Sequence, residues 1–246
     1  MSKILGVKID EFSFSEVMEK ITSFLGGDKL CQIATVNPEF IMTAQKDAVF
    51  KDILNSANLN VPDGFGLQCA AFYKRKKIGQ RLTGVDLTWE IAKLAQEKGY
   101  SIYLLGGKPG VAEMTANRLR YLYRNLKIAG AYAGAPDEEG IVDKIIASKA
   151  DILLVAFGAP KQEKFIHDLK NCVSNLGFRA SDLPKVAMGV GGTFDYISEI
   201  VPRAPKWMRS LGLEWLYRLI QQPPRFRRIY TAVIKFPLAV IFTRSR

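Results

Sequence analysis

Seven short apolar, β-rich runs punctuate this chain, and longer helical patterns fill most of the gaps between them. The runs are Ile4 to Ile9, Cys31 to Val36, Leu59 to Val61, Ser101 to Leu105, Leu126 to Tyr132, Asp151 to Phe157 and Lys185 to Val190. Strand and helix in regular alternation predict an α/β fold, a Rossmann-like, mostly parallel sheet with helices on both faces. Ser13 is placed to cap a helix running to about Leu25, and Thr83 to open one that reaches Lys98 before Gly99. Pro109 fits the first turn of a helix ending near Asn125. In such sheets ligands gather beyond the carboxyl ends of the strands, so the loops that follow the strands are where chemistry is expected.

Charge divides the chain in two. Residues 203–246 hold ten Lys or Arg against one acid, Glu214, and so carry nine of the eleven net positive charges; residues 1–202 are nearly neutral. The division predicts an α/β domain over 1–202 and a basic, amphipathic, helical C-terminal appendage over 203–246. In the appendage Trp207, Met208, Leu211, Leu213, Trp215, Leu216, Leu219 and Ile220 interleave with Arg209 and Arg218, a mixture suited to an anionic lipid boundary. Its longest apolar run, Ala232 to Phe242, contains Lys235 and Pro237 and falls short of the roughly 20 residues a spanning helix needs. Four prolines, Pro202, Pro205, Pro223 and Pro224, break the appendage into short pieces. A tail reading RNA is the weaker alternative, because the aromatics fall at helical spacing instead of forming a stacking platform. The start, MSKILGVKID, reads as a strand and not as a secretion signal, which predicts a cytoplasmic body. Cys31, Cys69 and Cys172 are widely spaced and odd in number, and His167 is the one histidine, on a charge-mixed surface helix; neither a disulfide framework nor a zinc site is expected.

Polar and glycine-rich motifs follow the strand candidates. Thr35 and Asn37 flank the end of the second run, and Pro38 can start the next helix. Pro62-Asp63-Gly64 is ordinary turn chemistry, yet at this sheet edge the Asp63 carboxylate has a second reading, as a base. Glycines come directly after three strands, at Gly106-Gly107, Gly158 and Gly191-Gly192, the last followed by Thr193. Each alone is a tight connection; together at one edge they suggest close backbone approach to a nucleotide. Gly189 to Phe194 misses the dinucleotide GxGxxG pattern at its last position, and no phosphate-loop GxxxxGK[ST] occurs. The basic connector Tyr73 to Arg81 reads either as a solvated loop or as a neighbour of an anionic ligand. With no DxD pair and no His–carboxylate cluster, no protein-held metal is expected, and arginines would have to meet diphosphate charge.

TVNPEF, VPDGFG, RLTGVDL, LLGG, VAFGAPKQE and GVGGTFD, in this order and spacing, resemble the WecG/TagA/CpsF family of glycosyltransferases over nearly the whole chain. The resemblance implies transfer of an N-acetylmannosamine-type sugar from a UDP donor to N-acetylglucosamine on polyprenyl diphosphate, at the inner face of the plasma membrane, in making wall teichoic acid or a related polymer. It implies that Asp63 is the general base of an inverting reaction, that Thr35 and Asn37 orient the sugar or base, that Arg81 lies near diphosphate, and that Gln162 contacts substrate. Gly106, Gly107, Gly191, Gly192 and Thr193 would approach the nucleotide, and Arg209, Arg218, Arg225, Arg227 and Arg228 would bind the lipid diphosphate or the membrane. No cofactor and no nucleic-acid partner is implied, and room is left for a homo-oligomer. The donor stays open between the N-acetylmannosamine form, its uronic acid and glucose.

Overall fold

A computed structural model of the chain describes residues 2–172 and 179–243, and the side chain of Cys172 lies outside that description. Six strands form one parallel sheet: β3 (Cys31–Val36), β4 (Leu59–Pro62), β5 (Ser101–Gly106), β6 (Lys127–Tyr132), β7 (Ile152–Ala156) and β8 (Val186–Gly189), in the order β4-β3-β8-β7-β5-β6. The chain thus builds outward from β3 to one edge, crosses to β5 and the other edge, and returns to fill the middle with β7 and β8.

The first apolar run does not join this sheet. It splits into an antiparallel hairpin, β1 (Ser2–Ile4) and β2 (Val7–Ile9), because Leu5 and Gly6 both take positive φ, 47° and 79°, and reverse the chain. The hairpin leans on the β4 edge, where the Asn60 N–H donates to the Asp10 carboxylate at 2.8 Å and the Asp10 N–H to the Asn60 carbonyl at 3.0 Å. Expecting a strand over Ile4 to Ile9 was therefore right in conformation and wrong in continuity.

Helices occupy both faces. They are α1 (Phe14–Leu25), α2 (Pro38–Ala44), α3 (Ala48–Ser56), α4 (Phe65–Tyr73), α5 (Gly84–Lys98), α6 (Val111–Leu122), α7 (Ile141–Ser148), α8 (Lys161–Cys172) and α9 (Thr193–Ile197). Alternate residues of each strand serve opposite faces. Ile102, Leu104, Ile152, Leu154, Val186 and Met188 pack with α1, α5, α6 and α9. Tyr103, Leu105, Leu153, Val155 and Ala187 turn toward α7 and α8. Because both faces are covered, β7 and β8 are buried throughout their length, as parallel central strands should be. Ser13 caps α1 with a reciprocal Glu16 bond, Thr83 caps α5, and Gly99 ends α5 in the left-handed conformation, φ 78°. The helix expected from Pro109 instead begins at Val111, after Gly110 at φ 81°.

From Arg203 onward the chain is helical: α10 (Lys206–Ser210), α11 (Glu214–Gln221), α12 (Phe226–Tyr230) and α13 (Phe236–Phe242), with a π-helical turn over Thr231–Lys235 joining the last two. These pieces lie on the body. Phe236 and Val240 are buried in a cluster with Phe40 and Ile41 of α2, Leu67 and Ala70 of α4, and the hairpin. Arg203 grips the start of α5, its guanidinium donating to the Asp86 carboxylate at 2.6 and 3.0 Å and to the Thr83 hydroxyl at 3.0 Å. No helix among the described residues is long and apolar enough to cross a membrane.

Candidate active site

All six strands of the parallel sheet end at one cleft of ≈730 Å³. Thr35 and Asn37 come from the end of β3, Asp63 from β4, Gly107 and Lys108 from β5, Ala133 to Pro136 from β6, Phe157 to Ala159 from β7, and Val190 to Thr193 from β8. Placing β8 beside β3 is what brings the glycines near residue 191 next to Thr35, more than 150 positions earlier. The Thr35 and Thr193 hydroxyls converge on Gly84, where an added Cβ would stand 3.2 Å from Thr193 Oγ1 and 3.6 Å from Thr35 Oγ1. Asn37 caps α2, its Oδ1 accepting from the Phe40 N–H at 3.1 Å.

Asp63 is half-buried at the mouth of α5, and the Gly84 N–H donates to its carboxylate. Removal from water pushes its pKa up to about 7, and the nearby Glu214 carboxylate adds to the rise. The Gly84 N–H, Arg81 and Arg218 oppose it without cancelling it. A carboxyl group poised near neutrality can take a proton from a substrate hydroxyl at the pH of a cell. Glu214, the lone acid of the tail, was not singled out by its neighbours in sequence; only the docking of α11 brings it to Asp63.

Gln162 is 2 % exposed, and its amide is committed on both sides. Its Oε1 accepts from the Gly158 N–H at 3.0 Å and the Gly191 N–H at 2.9 Å, while its Nε2 donates to Glu163 Oε1 at 2.7 Å. One side chain therefore ties the β7 and β8 loops together. Glu163 is wholly buried, burial drives its pKa up to about 7, and its Oε2 has no hydrogen-bond partner. Gly189 is required beside this pair, since a Cβ there would lie 2.4 Å from Glu163 Oε1. The sequence did contain a signal for Glu163: an acid in the first turn after Pro160, on a face otherwise apolar at Phe165, Ile166 and Leu169.

The remaining glycines separate. Gly107, Gly191 and Gly192 line the cleft. Gly106 does not; at φ 92° it makes room for Phe157, whose Cδ1 would sit 2.7 Å from an added Cβ.

The arginines separate as well. Arg218, Arg225 and Arg228 line the cleft, and Gly192 is held bare beneath them, an added Cβ meeting an Arg218 terminal nitrogen at 2.6 Å and one from Arg225 at 3.6 Å. Arg218 also lies over the Tyr196 ring, 5.1 Å from its centre. Arg228 pairs with Glu39 at 2.6 Å. Arg218 and Arg225 form no ion pair among the described residues, and the Arg218 Nε is buried without a partner. Burial and the adjacent Arg218 and Arg228 charges depress the Arg225 pKa. Crowded, half-desolvated cations of this kind are stabilised by an incoming anion. Arg209 and Arg227 lie off the cleft. Arg81 stands at its edge, donating to the Arg209 carbonyl at 3.0 Å, so it holds the tail in place from the body. Two other connector cations reach backbone carbonyls, Lys74 that of Thr243 and Lys76 that of Lys3. His167 is half-buried on α8, and Cys31 and Cys69 are free thiols. Among the described residues no three His, Cys, Asp or Glu side chains converge as metal ligands.

Two curated relatives are both named N-acetylglucosaminyldiphosphoundecaprenol N-acetyl-beta-D-mannosaminyltransferase. One, from Bacillus subtilis (strain 168), is 37% identical over 211 residues, covering 85% of this chain and 78% of the relative. The other, from Bacillus spizizenii (strain ATCC 23059 / NRRL B-14472 / W23), is 32% identical over 234 residues, covering 95% and 87%. The model of the glycosyl transferase WecG/TagA/CpsF family matches residues 2–246. With that match over a parallel α/β sheet whose strand ends meet at one polar cleft, the chain belongs to the WecG/TagA/CpsF family of glycosyltransferases.

Proposed function

We propose that this chain moves N-acetylmannosamine from UDP-N-acetylmannosamine onto N-acetylglucosamine carried by polyprenyl diphosphate, forming a β-1,4 linkage in the linkage unit of wall teichoic acid. The observation that carries the reading is the meeting, in one cleft, of a carboxyl group poised near neutrality, Asp63, with Arg218 and Arg225, cations without an ion pair among the described residues. The names of the two Bacillus relatives support both the sugar and the acceptor.

In this reaction the acceptor hydroxyl oxygen bonds to the anomeric carbon, the bond from that carbon to the UDP oxygen breaks, and the hydroxyl proton passes to the Asp63 carboxylate. A single displacement inverts the anomeric centre. The negative charge that gathers on departing UDP is met by Arg218, Arg225 and the backbone N–H groups near Gly192, with no protein-held metal ion; such preorganised donors contribute a few kcal/mol, of the order of 3, to lowering a barrier. Gln162 fixes the β7 and β8 loops against one another so that these donors keep their places. The tail brings both the cations and a membrane face. Ten of the eighteen exposed large hydrophobic residues among those described fall between Trp207 and Phe242, interspersed with Arg and Lys, which suits the anionic inner surface of the plasma membrane.

The test is UDP release from UDP-N-acetylmannosamine, with and without a polyprenyl-diphosphate N-acetylglucosamine acceptor, in EDTA, for the native chain beside Asp63→Asn. Release that needs the acceptor, survives EDTA and is lost in the variant is the expected result. Release from UDP-glucose or the uronic acid donor alone would replace the donor, and release that EDTA abolishes would replace the metal-free mechanism.

A further inference from the structure

A second concavity, of ≈420 Å³, opens from the Asp63 end of the cleft and runs between α4 and the tail. The two hollows share Pro38, Asp63, Gly64, Thr83, Glu214, Trp215 and Ala232, so one continues into the other. Their chemistry differs sharply. In the second hollow the charged residues, Asp63, Arg81 and Glu214, belong to the end that meets or borders the cleft, and the walls beyond are apolar: Phe65, Cys69 and Tyr73 of α4 face Val233, Pro237 and Ile241 of the tail. Gly66 keeps the groove deep, since an added Cβ would lie 3.0 Å from Pro38 and 4.0 Å from the Phe236 ring. Phe65, Tyr73 and Ile241 remain 48%, 56% and 49% exposed, leaving apolar surface uncovered along the rim. Apolar side chains held open beside a charged site call for a ligand that is itself charged at one end and hydrocarbon along its length.

We propose that this groove binds the isoprene units of the acceptor next to its diphosphate, so that the enzyme recognises the start of the prenyl chain as well as the sugar head. The inference rests on the transferase reading above, which supplies the head group in the cleft. With the acceptor hydroxyl at Asp63 and the acceptor diphosphate beside Arg81, which lines the groove, the chain leaves past Trp215 into the groove and then continues into the bilayer on which the tail lies. Recognition of the chain by protein would hold the acceptor hydroxyl in register with Asp63 whether or not a membrane is present.

Cys69, an exposed free thiol on the groove wall, gives a readout that does not depend on turnover. In the native chain, without membranes, its labelling by a maleimide should slow at least fivefold when N-acetylglucosaminyl diphosphate bearing a farnesyl chain is added, and hardly at all when the same head group bears an ethyl group. Steady-state kinetics should agree: the KM for the farnesyl acceptor falls about tenfold or more below that for the ethyl acceptor, since burial of even a few methylenes is worth that much. Cys69→Trp, which fills the groove from an exposed position, should bring the two KM values within about twofold of each other, a change in ratio that loss of folded protein cannot produce. Equal protection by both acceptors would place only the head group near Cys69 and overturn the proposal. So would protection by phosphatidylglycerol vesicles with none from the farnesyl acceptor, which would make the groove a face for bulk lipid, or protection that grows with protein concentration alone, which would make it a contact between copies. Equal KM values for the two acceptors in an active enzyme would also overturn it, whereas the absence of UDP release with every acceptor would instead fail the transferase reading and leave the labelling result to stand by itself.

Discussion

The two walls of the cleft are built on different principles. The sheet wall is buried and bonded: Thr35 is 5%, Gln162 2%, Glu163 0% and Thr193 3% exposed, and the Gln162 amide is held at three of its hydrogen-bonding positions. The tail wall is half-exposed and under-bonded: among the described residues Arg218 and Arg225 lack ion pairs, and Trp215 is open to solvent. A wall bonded in this way, with Glu163 Oε2 its exception, holds atoms in place and gains little from a ligand. A wall of crowded cations is incomplete until an anion arrives, so substrate binding and tail docking should reinforce one another. The tail is latched along its length, by Arg203 to Asp86 and Arg81 to the Arg209 carbonyl near its start, by Arg228 to Glu39 in its middle, and by Phe236 and Val240 packed into the body and Lys74 to the Thr243 carbonyl toward its end.

This contrast can be broken from either side. The largest effect is expected at the base between the walls: Asp63→Asn should lower turnover about a hundredfold or more without lowering the melting temperature, which should rise above about pH 7 where the desolvated carboxylate would otherwise ionise, as read by kcat and calorimetry on the same sample. On the tail wall, Arg218→Ala should cost about tenfold to a hundredfold in turnover and leave stability intact or slightly raised, because it relieves repulsion with Arg225. A fall in stability as large as that from a core substitution would show that the tail wall is as structural as the sheet wall. On the sheet wall the reverse holds. Gln162→Ala orphans the Gly158 and Gly191 N–H groups and a Glu163 oxygen, and should cost about 2–3 kcal/mol of stability in denaturant unfolding along with activity.

Proton linkage separates the walls further. Asp63 and Glu163 have folded pKa values raised to about 7 from ordinary carboxylate values, so the folded state holds more protons than the unfolded one between roughly pH 4 and 7. Stability is then greatest at the acid end of that window and declines as pH rises through about 7, by up to about 3 kcal/mol for Glu163. Glu163→Gln should flatten the decline, measured as unfolding free energy against pH. Activity runs the other way, rising through about pH 7 as Asp63 becomes able to accept a proton. The smallest effect is expected for Glu214→Gln, which removes a secondary contribution to the Asp63 rise and should move the midpoint of the pH–rate profile down by less than about one unit. An unmoved midpoint would mean that desolvation alone sets the base.

Much of the sheet was legible in the residues. Cys31 to Val36 was read with its observed limits, and the other five strands of the sheet to within one or two residues at either end, because central parallel strands are continuous apolar runs bounded by helix caps. The hairpin was not, since Leu5-Gly6 lacks the Asn-Gly or Asp-Gly signature that marks such a turn. In the site, Thr35, Asn37, Asp63, Gly107, Gly191, Gly192 and Thr193 were found from their places after strands, which the topology makes a shared edge. Gly106 looks the same in sequence, yet it packs on Phe157, a distinction made by side-chain packing across neighbouring strands. Tyr196 went unnoticed because nothing in its local pattern differs from an ordinary helical position, the signal at Glu163 was passed over, and Glu214 was noted only as the lone acid of the tail, since its nearness to Asp63 is a matter of docking.

Element types, the polar and glycine endings of the strands, and the concentration of charge after residue 202 were all set by the sequence itself, since they depend on periodicity and composition along a few adjacent residues. Which endings meet was decided by the order β4-β3-β8-β7-β5-β6, and with it the Gln162 tie between two loops; the docking of the tail over that edge decided the Glu214 share of the raised Asp63 pKa and the choice of Arg218, Arg225 and Arg228 over Arg209 and Arg227 as the cations of the cleft. Desolvation and like-charge crowding are properties of what surrounds a group in space, and the surroundings of Asp63 are drawn from parts of the chain as distant as Gly84 and Glu214.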